Sequence, residues 1–435
     1  LKKILPLLFL LLLFSGCAYY NAFYNAKKYY NEGMELKKKG NKAYMDKFRK
    51  SAEKCEKVIA WYPNSRWMDD AIYLLGLNFY EQDQFDRAER KFRELLEYYP
   101  DSPFAPWSYL YLGKIYIKRG KVSDAMFYLS MAKKSGDEKV IEEVTKEELK
   151  VYLEDGEHEK VINLGNEYIK KYPAKKEEIM KLIADAYLSK GDTTRAILYY
   201  RKTMGENTPD SLKIKLGEIY MRKNMPDSTI SLLKGMSGPD AKILLAKAYV
   251  KTGYPDSAIA SIEEIARIRR DKYSLVSNIL LSEIYQARGD TAAMMKALKK
   301  AKGLSVEDPL KEYALRKYNY YADLERSKTD TTFNDSIIAE DLYLYAEALY
   351  LYAEKPDEAL RVFLKLERKF PEFYLRKKSM FARAYLYLNY LHDTISAIRV
   401  LDTLTSTQDT SVYVKKAGEL LDEIQKDKNT NKETE

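Results

Sequence analysis

Residues equipped for covalent or metal chemistry are scarce in this chain. Its 435 residues include two histidines and two cysteines. His158 lies in DGEHEK and His392 in YLHDT, far apart and each without a ligand-type neighbour at metal spacing. Both are therefore expected as exposed turn residues. No HExxH, no Gly-x-Ser-x-Gly elbow and no phosphate-cradling glycine loop occurs. Carboxylate pairs such as Asp69 and Asp70 are unavoidable among 65 acids and single out no acid/base machinery. The sequence predicts a protein that is not an enzyme and uses no cofactor or metal. The chemistry it does favour is noncovalent. There are 39 tyrosines, often doubled, as at Tyr29–Tyr30, Tyr98–Tyr99, Tyr199–Tyr200 and Tyr320–Tyr321. One tyrosine per repeat is structural, and the remaining amphipathic rings suit an interface, where they anchor partners.

The elements that must position them are legible in Ile72–Pro100, IYLLGLNFYEQDQFDRAERKFRELLEYYP. Ile72, Leu75, Gly76 and Phe79 fall three and four residues apart and share one face of a first helix. Gly76 lets a partner helix approach. After a polar turn, Ala88, Phe92 and Leu95 repeat that spacing on a second helix, and Pro100 stops it. The pattern predicts a helical hairpin. The face turned by about 130° from the first stripe carries Asp70, Tyr73, Leu77 and Tyr80. Equivalent positions are Lys27, Tyr30, Met34 and Lys37 before it, and Trp107, Leu110, Lys114 and Ile117 after it. The sequence thus predicts an aromatic groove edged with charge, with Tyr30, Met34, Tyr73, Leu77, Tyr80, Trp107, Leu110 and Lys114 as its binding residues. Side chains of this kind suit an extended or helical peptide. The alternative is that stacking turns the same residues onto the neighbouring hairpin.

A large residue, Leu-Gly, an aromatic, then Ala, Phe and Pro within about 34 residues resembles the tetratricopeptide (TPR) repeat. Tyr109, Leu112, Gly113, Tyr116, Ala125 and Ala132 repeat the order, and the first-helix aromatic recurs as Tyr152, Tyr187, Tyr220, Tyr249 and Tyr285. The resemblance implies an all-α solenoid of helical hairpins, wound as a right-handed superhelix. Turns recur at Gly191-Asp192-Thr193, Pro226-Asp227-Ser228, Pro255-Asp256-Ser257, Gly289-Asp290-Thr291, Pro356-Asp357-Glu358 and His392-Asp393-Thr394, where the polar side chains are expected to start the second helix. A degenerate first hairpin has Gly33 at the glycine position, an enlarged turn Lys37–Met45, Cys55 in the place of Phe92, and Pro63 at its end. Cys55 is expected to serve as a buried small hydrophobe. After Ala301 the period breaks at Gly303–Pro309, a helix Leu310–Arg326 and a loop Ser327–Asp335, read as an irregular repeat and hinge. Regularity returns with Tyr350, Ala359, Phe363 and Pro371, and Val412–Ile424 is read as a capping helix.

The start reads LKKILPLLFLLLLFSGC. Two lysines precede an apolar run from Ile4 to Phe14, which is shorter than the ~20 residues a bilayer span needs, so it reads as an export signal. Phe14-Ser15-Gly16-Cys17 resembles the lipobox of bacterial lipoproteins, which implies lipid on the Cys17 thiol and cleavage before it; the alternatives are a cleavable signal without lipid and an uncleaved anchor. Ala18 after the cysteine implies the outer membrane. Tyr19, Tyr20, Phe23 and Tyr24 are placed either at the lipid interface or over the exposed core of the first repeat. The chain accordingly divides into a signal peptide (1–16), a lipidated aromatic segment (17–32), two well-matched repeats after a degenerate one (33–135), degenerate repeats (136–303), the irregular repeat with further repeats and a cap (304–425), and a polar tail (426–435) expected to be disordered. The formal charge of +9 is spread through mixed clusters such as Arg267–Arg270 and Arg376–Lys378. These read as solvated helix faces, not as nucleic-acid contacts.

The phrases YPNSRWMDDAIYLLG at Tyr62–Gly76 and YPDSPFAPWSYLYLG at Tyr99–Gly113 resemble the N-terminal repeats of BamD-type lipoproteins, which belong to the outer-membrane β-barrel assembly machine. The resemblance implies a non-catalytic scaffold lipoprotein at the periplasmic face of an outer membrane. It would bind protein partners through its groove and the membrane through its lipid, with no nucleic acid and no small-molecule substrate. The alternatives are a general cell-envelope TPR adaptor and a glycan-binding lipoprotein partnering an outer-membrane nutrient transporter. Proteins of the last kind carry long loop-rich insertions between repeats, and only Ser327–Asp335 is long here.

Overall fold

The computed structural model describes residues 5–205, 207–330, 332–406 and 411–433, with side chains from 21 to 426. Among these residues the chain is helical and contains no strand. It forms two compact units, Leu1–Glu206 and Asn207–Glu435. The first unit stacks five hairpins: α1 (Leu5–Lys38) with α2 (Tyr44–Trp61), α3 (Met68–Glu81) with α4 (Phe85–Tyr98), α5 (Ala105–Lys118) with α6 (Val122–Lys133), α7 (Glu138–Glu154) with α8 (His158–Lys171), and α9 (Lys176–Ser189) with α10 (Thr193–Lys202). The second opens with α11 (Asp210–Arg222) and α12 (Pro226–Leu233), α13 (Pro239–Lys251) and α14 (Pro255–Ile268), and α15 (Lys272–Ala287) and α16 (Thr291–Lys302). It continues through a single helix α17 (Pro309–Thr329), then α18 (Asp335–Leu351) with α19 (Pro356–Lys369), α20 (Arg376–Asn389) with α21 (Thr394–Thr405), and α22 (Val412–Glu433). Each unit is an all-α solenoid of helical hairpins.

The hairpin expected at Ile72–Pro100 forms as α3 and α4. Ala88, Phe92 and Leu95 are fully buried. A Cβ on Gly76 would stand 2.7 Å from the Phe92 ring, so the two helices meet at a distance only glycine permits. In the first hairpin the arrangement differs from the expected one. Gly33 faces Phe48, also at 2.7 Å, whereas Cys55 is buried elsewhere in the same core. Phe48 follows Gly33 at nearly the interval by which Phe92 follows Gly76, and the extra length of α2, 18 residues against 14 in α4, lies beyond it, where Cys55 sits.

The recurrent Asp turns separate into two kinds. Where Gly or His precedes the aspartate, its carboxylate caps the second helix, accepting from the backbone N–H of Arg195 on Asp192 (2.9 Å), of Ala293 on Asp290 (2.9 Å) and of Ser396 on Asp393 (3.0 Å). Where Pro precedes it, Pro226, Pro255 and Pro356 occupy the first helical position and Asp227, Asp256 and Asp357 lie inside the first turn, where they complement the helix dipole without capping. The tight turn before each second helix needs a left-handed residue. Asp83, Asn224, Glu354 and His392 supply it at φ of 52–58° where glycine is absent.

Two further expectations are corrected. The segment read as a hinge is packed, because Tyr313, Ala314 and Tyr320 of α17 are buried in one apolar cluster with Leu275, Leu298, Leu342 and Phe363. Residues after Lys426, read as disordered, continue α22 as helical backbone to Glu433. Adding residues to a helix already nucleated by packing is far easier than starting one, and polarity alone does not oppose it.

Candidate functional site

α1, α3 and α5 are the first helices of consecutive hairpins in the first unit. The first two of them and the turn before the third form an open pocket of about 220 Å³ lined by Phe23, Lys27, Tyr30 and Asn31 from α1, Asp70, Tyr73, Leu74 and Leu77 from α3, and Phe104 from the turn before α5. Three predicted groove residues, Tyr30, Tyr73 and Leu77, therefore converge with the predicted charges of Lys27 and Asp70. Met34 is half-buried on α1. The aromatic wall extends beyond the pocket. Tyr73 stacks on Phe104 (4.8 Å between centroids) and meets Tyr111 edge-on (6.3 Å), Tyr80 meets Tyr111 edge-on (5.0 Å), and Tyr111 stacks on Phe92 (5.4 Å). Such pairs favour these offset and edge geometries because of the ring quadrupole.

Tyr111 is missing from the predicted set. The helical spacing 107, 111, 114 would have found it in place of Leu110. Leu110 itself is core: it is 1% exposed and packs with Leu129, Ala132, Val140 and Val144. The helix α7 of the next hairpin covers that part of α5, which is the alternative outcome for this face. Trp107 lies half-buried against the same cluster. Lys114 sits with its ammonium 5.3 Å from the Tyr111 centroid and 3.4 Å from Glu147 of α7. The groove is thus open at α1 and α3 and closed over at Leu110.

Burial first, and the Glu81 carboxylate second, push the Tyr30 hydroxyl up. Burial does the same to Tyr73 and Tyr111, and Tyr80 is pushed up to about 12 by burial and then by Glu147. All remain neutral donors near pH 7. Asp70 is raised by burial and by neighbouring Asp69, against the pull of Lys27. Asp69 accepts from the Ser102 hydroxyl at 2.8 Å, and Lys37 pairs with Glu81 at 2.8 Å, so these charges are matched. Lys27, Asn31 and Asp70 make no hydrogen bond or ion pair among the described residues. The mouth of an aromatic pocket therefore presents an ammonium, a carboxamide and a carboxylate with unused capacity. That set can receive an apolar side chain and satisfy the backbone and charge beside it.

Other candidates fall elsewhere. His158 is the first residue of α8, not a turn residue, and its Nδ1 is buried without a partner, while His392 is exposed in its left-handed turn. Among the described residues no three His, Cys, Asp or Glu side chains are placed to hold a metal. Burial pushes the Cys55 thiol up and makes it inert. The Cys17 side chain lies outside the described ones. Phe23 is buried and stacks on Trp67 at 5.3 Å, covering the first hairpin's core, whereas Tyr24 is exposed. Among the described residues no helix is long and apolar enough to cross a membrane.

Comparison with known proteins agrees with the hairpin geometry. The tetratricopeptide-repeat family pattern matches residues 70–102, 179–204 and 239–272. No curated protein sequence matches the chain. Among solved structures the chain is similar to a tetratricopeptide repeat protein from Parabacteroides merdae (18% identity, TM-score 0.37, covering 57% of this chain and 97% of that one). It is also similar to the C-terminal part of a TPR repeat-containing protein from Cytophaga hutchinsonii (15% identity, TM-score 0.37, covering 63% and 95%) and to yeast Tom70 (12% identity, TM-score 0.32, covering 93% and 96%). The chain contains tetratricopeptide repeats, a fold that typically serves as a non-catalytic scaffold for protein partners.

Proposed function

We propose that this protein is a scaffold lipoprotein whose first unit captures an extended or helical peptide segment of a partner protein in the groove of α1 and α3. The observation that carries the reading is the pairing of an aromatic pocket with Lys27, Asn31 and Asp70, which make no hydrogen bond or ion pair among the described residues, the Lys27 ammonium lying 5.3 Å from the Phe23 ring centroid. Lys27 and Asn31 are exposed and Asp70 half-buried, so the three are accessible to a ligand beside large rings of the kind that anchor partner side chains. The segment it fits carries a large apolar side chain for the space between Tyr30 and Tyr73, flanked by a basic group for Asp70 and an acidic one for Lys27. The lipobox-like Phe14–Cys17 supports lipid anchoring through Cys17, and Ala18 supports placement at the outer membrane, periplasmic side. Participation in barrel assembly rests on the Tyr62–Gly76 and Tyr99–Gly113 resemblance alone.

A photo-crosslinking residue at position 30 should trap partner peptide in membranes, while the same residue at exposed position 97 on α4 should not. Equal adducts at both positions would remove the groove assignment. Separately, Cys17→Ser should release the protein from membranes, and retention would count against the lipid anchor.

A further inference from the structure

A second concave site lies in the other unit, between α14, α15 and α16, with a volume of about 250 Å³. Its floor is apolar, formed by the buried residues Ala266, Leu281 and Ala297. Three cations reach its edge: Arg267 from the last turn of α14, and Lys296 and Lys300 one turn apart on α16. None of them forms an ion pair among the described residues. Other cations between helices of the unit are matched, among them Arg288 to Asp256 at 2.6 Å, Lys242 to Glu264 at 3.7 Å and Lys355 to Glu283 at 2.6 Å. Glu263 also reaches the edge but pairs with none of the three. Burial first, then repulsion from Arg267 and Lys296, holds the Lys300 ammonium below the ordinary lysine range, so the cluster is close enough to be mutually unfavourable. Helix dipoles favour basic residues in last turns. They do not account for Lys296, outside the last turn of α16, converging with Arg267 and Lys300 on a largely apolar cavity whose one carboxylate, Glu263, pairs with none of them.

We propose that this cavity binds a small amphiphilic anion, its phosphate or carboxylate headgroup held by Arg267, Lys296 and Lys300 and its short apolar tail resting on Ala266, Leu281 and Ala297. An anion there converts the repulsion into charge-assisted hydrogen bonds, and the floor supplies the apolar contact a bare ion would not use. The site lies in the second unit and does not depend on the groove reading.

The test is calorimetric titration of the full chain with butyl phosphate and with hexanoate, both free of micelles, beside inorganic phosphate. Saturable binding is expected for at least one of the two amphiphiles, more tightly than for inorganic phosphate. Arg267→Gln and Lys300→Gln should each weaken it about tenfold. Ala293→Leu, which fills the cavity without changing charge, should weaken the amphiphile and spare inorganic phosphate. Lys299→Gln removes the same charge from α16 outside the cavity and should change nothing, with circular dichroism confirming helicity in every variant. Sedimentation with phosphatidylcholine vesicles containing phosphatidic acid, lost in Lys300→Gln, would assign the ligand to bilayer lipid; binding of butyl phosphate without vesicle binding would assign it to a free amphiphile. Absence of saturable binding by both amphiphiles overturns the proposal, as does an equal loss in Lys299→Gln and Lys300→Gln.

Discussion

Replacing Lys317 by Met should stabilise the protein near neutral pH. Lys317 of α17 is 1% exposed, and its ammonium donates only a long bond, 3.4 Å, to the Tyr313 hydroxyl. Glu283, the larger source of favourable charge, is already paired with Lys355 at 2.6 Å, and Lys355 and Glu358 act on Lys317 with opposite signs. Burial, only partly offset by Glu283, lowers the lysine from 10.5 to about 8. The folded state thus binds its proton less tightly than the unfolded state does. The penalty is fully present below pH 8 and disappears as pH rises towards 10.5, a window in which unfolded Lys317 is charged and folded Lys317 is not, so wild-type stability gains with pH. At ~1.36 kcal/mol per pH unit the penalty is about 3 kcal/mol. Methionine fills similar volume at a packing cost below ~1.5 kcal/mol, so a net gain of roughly 2 kcal/mol is expected at pH 7. Urea unfolding of both proteins at pH 7 and pH 10 measures it, and tyrosine titration cancels in the difference. A gain that shrinks with pH is the expected result. A Lys317→Met protein that is less stable at pH 7, or a difference that does not vary with pH, would refute the reasoning.

Three further perturbations follow from the packing. Gly76→Ala places a methyl 2.7 Å from the Phe92 ring and should lower stability by about 1–3 kcal/mol, read from a urea midpoint, whereas Ala at Gly418, inside α22 with open space around its Cβ, should raise it by up to about 1 kcal/mol. Asp341 is pushed up by burial and then by the Asp323 carboxyl beside it, so the folded protein holds a proton that the unfolded chain gives up above the ordinary carboxylate range. Stability should fall with rising pH from that range towards neutrality, and Asp341→Asn should flatten the slope in a pH series of thermal melts. Asp393→Ala removes the carboxylate that caps α21 and should cost about 1 kcal/mol, with Asp393→Asn recovering most of it in the same melts.

The hairpins were legible because their signal is local. Ile72, Leu75, Gly76 and Phe79 at helical spacing, followed by Ala88, Phe92, Leu95 and Pro100, define both helices and their contact without reference to the rest of the chain. The pocket was legible to the extent that it depends on the same periodicity, which brought Lys27, Tyr30, Asp70, Tyr73 and Leu77 together. Leu110 failed because its burial depends on where α7 lies, a relation between hairpins that spacing within α5 does not contain. Tyr111 was lost to a choice between two helical offsets one residue apart. Lys317 was invisible for a different reason: lysine is read as a surface residue, and only the packing of α17 among α15, α16 and α18 removes it from water. Gly33 meets Phe48 and not Cys55 because the interval from the glycine sets the contact, while the extra length of α2 beyond Phe48 displaces Cys55 from it.

The groove is tested most directly by reversing its unpaired charges without disturbing its rings. Tyr73 is packed against Phe104 and Tyr111, so truncating it would confuse binding with folding. Lys27→Glu with Asp70→Lys reverses the charges at the mouth of the pocket and leaves its rings in place, at the loss of the Lys27 contact with the Phe23 ring. Crosslinked complexes purified from membranes, compared by mass spectrometry between the wild type and this double variant of equal helicity, should show one partner enriched in the wild type and lost in the variant. An identical partner profile in the two proteins would contradict the account.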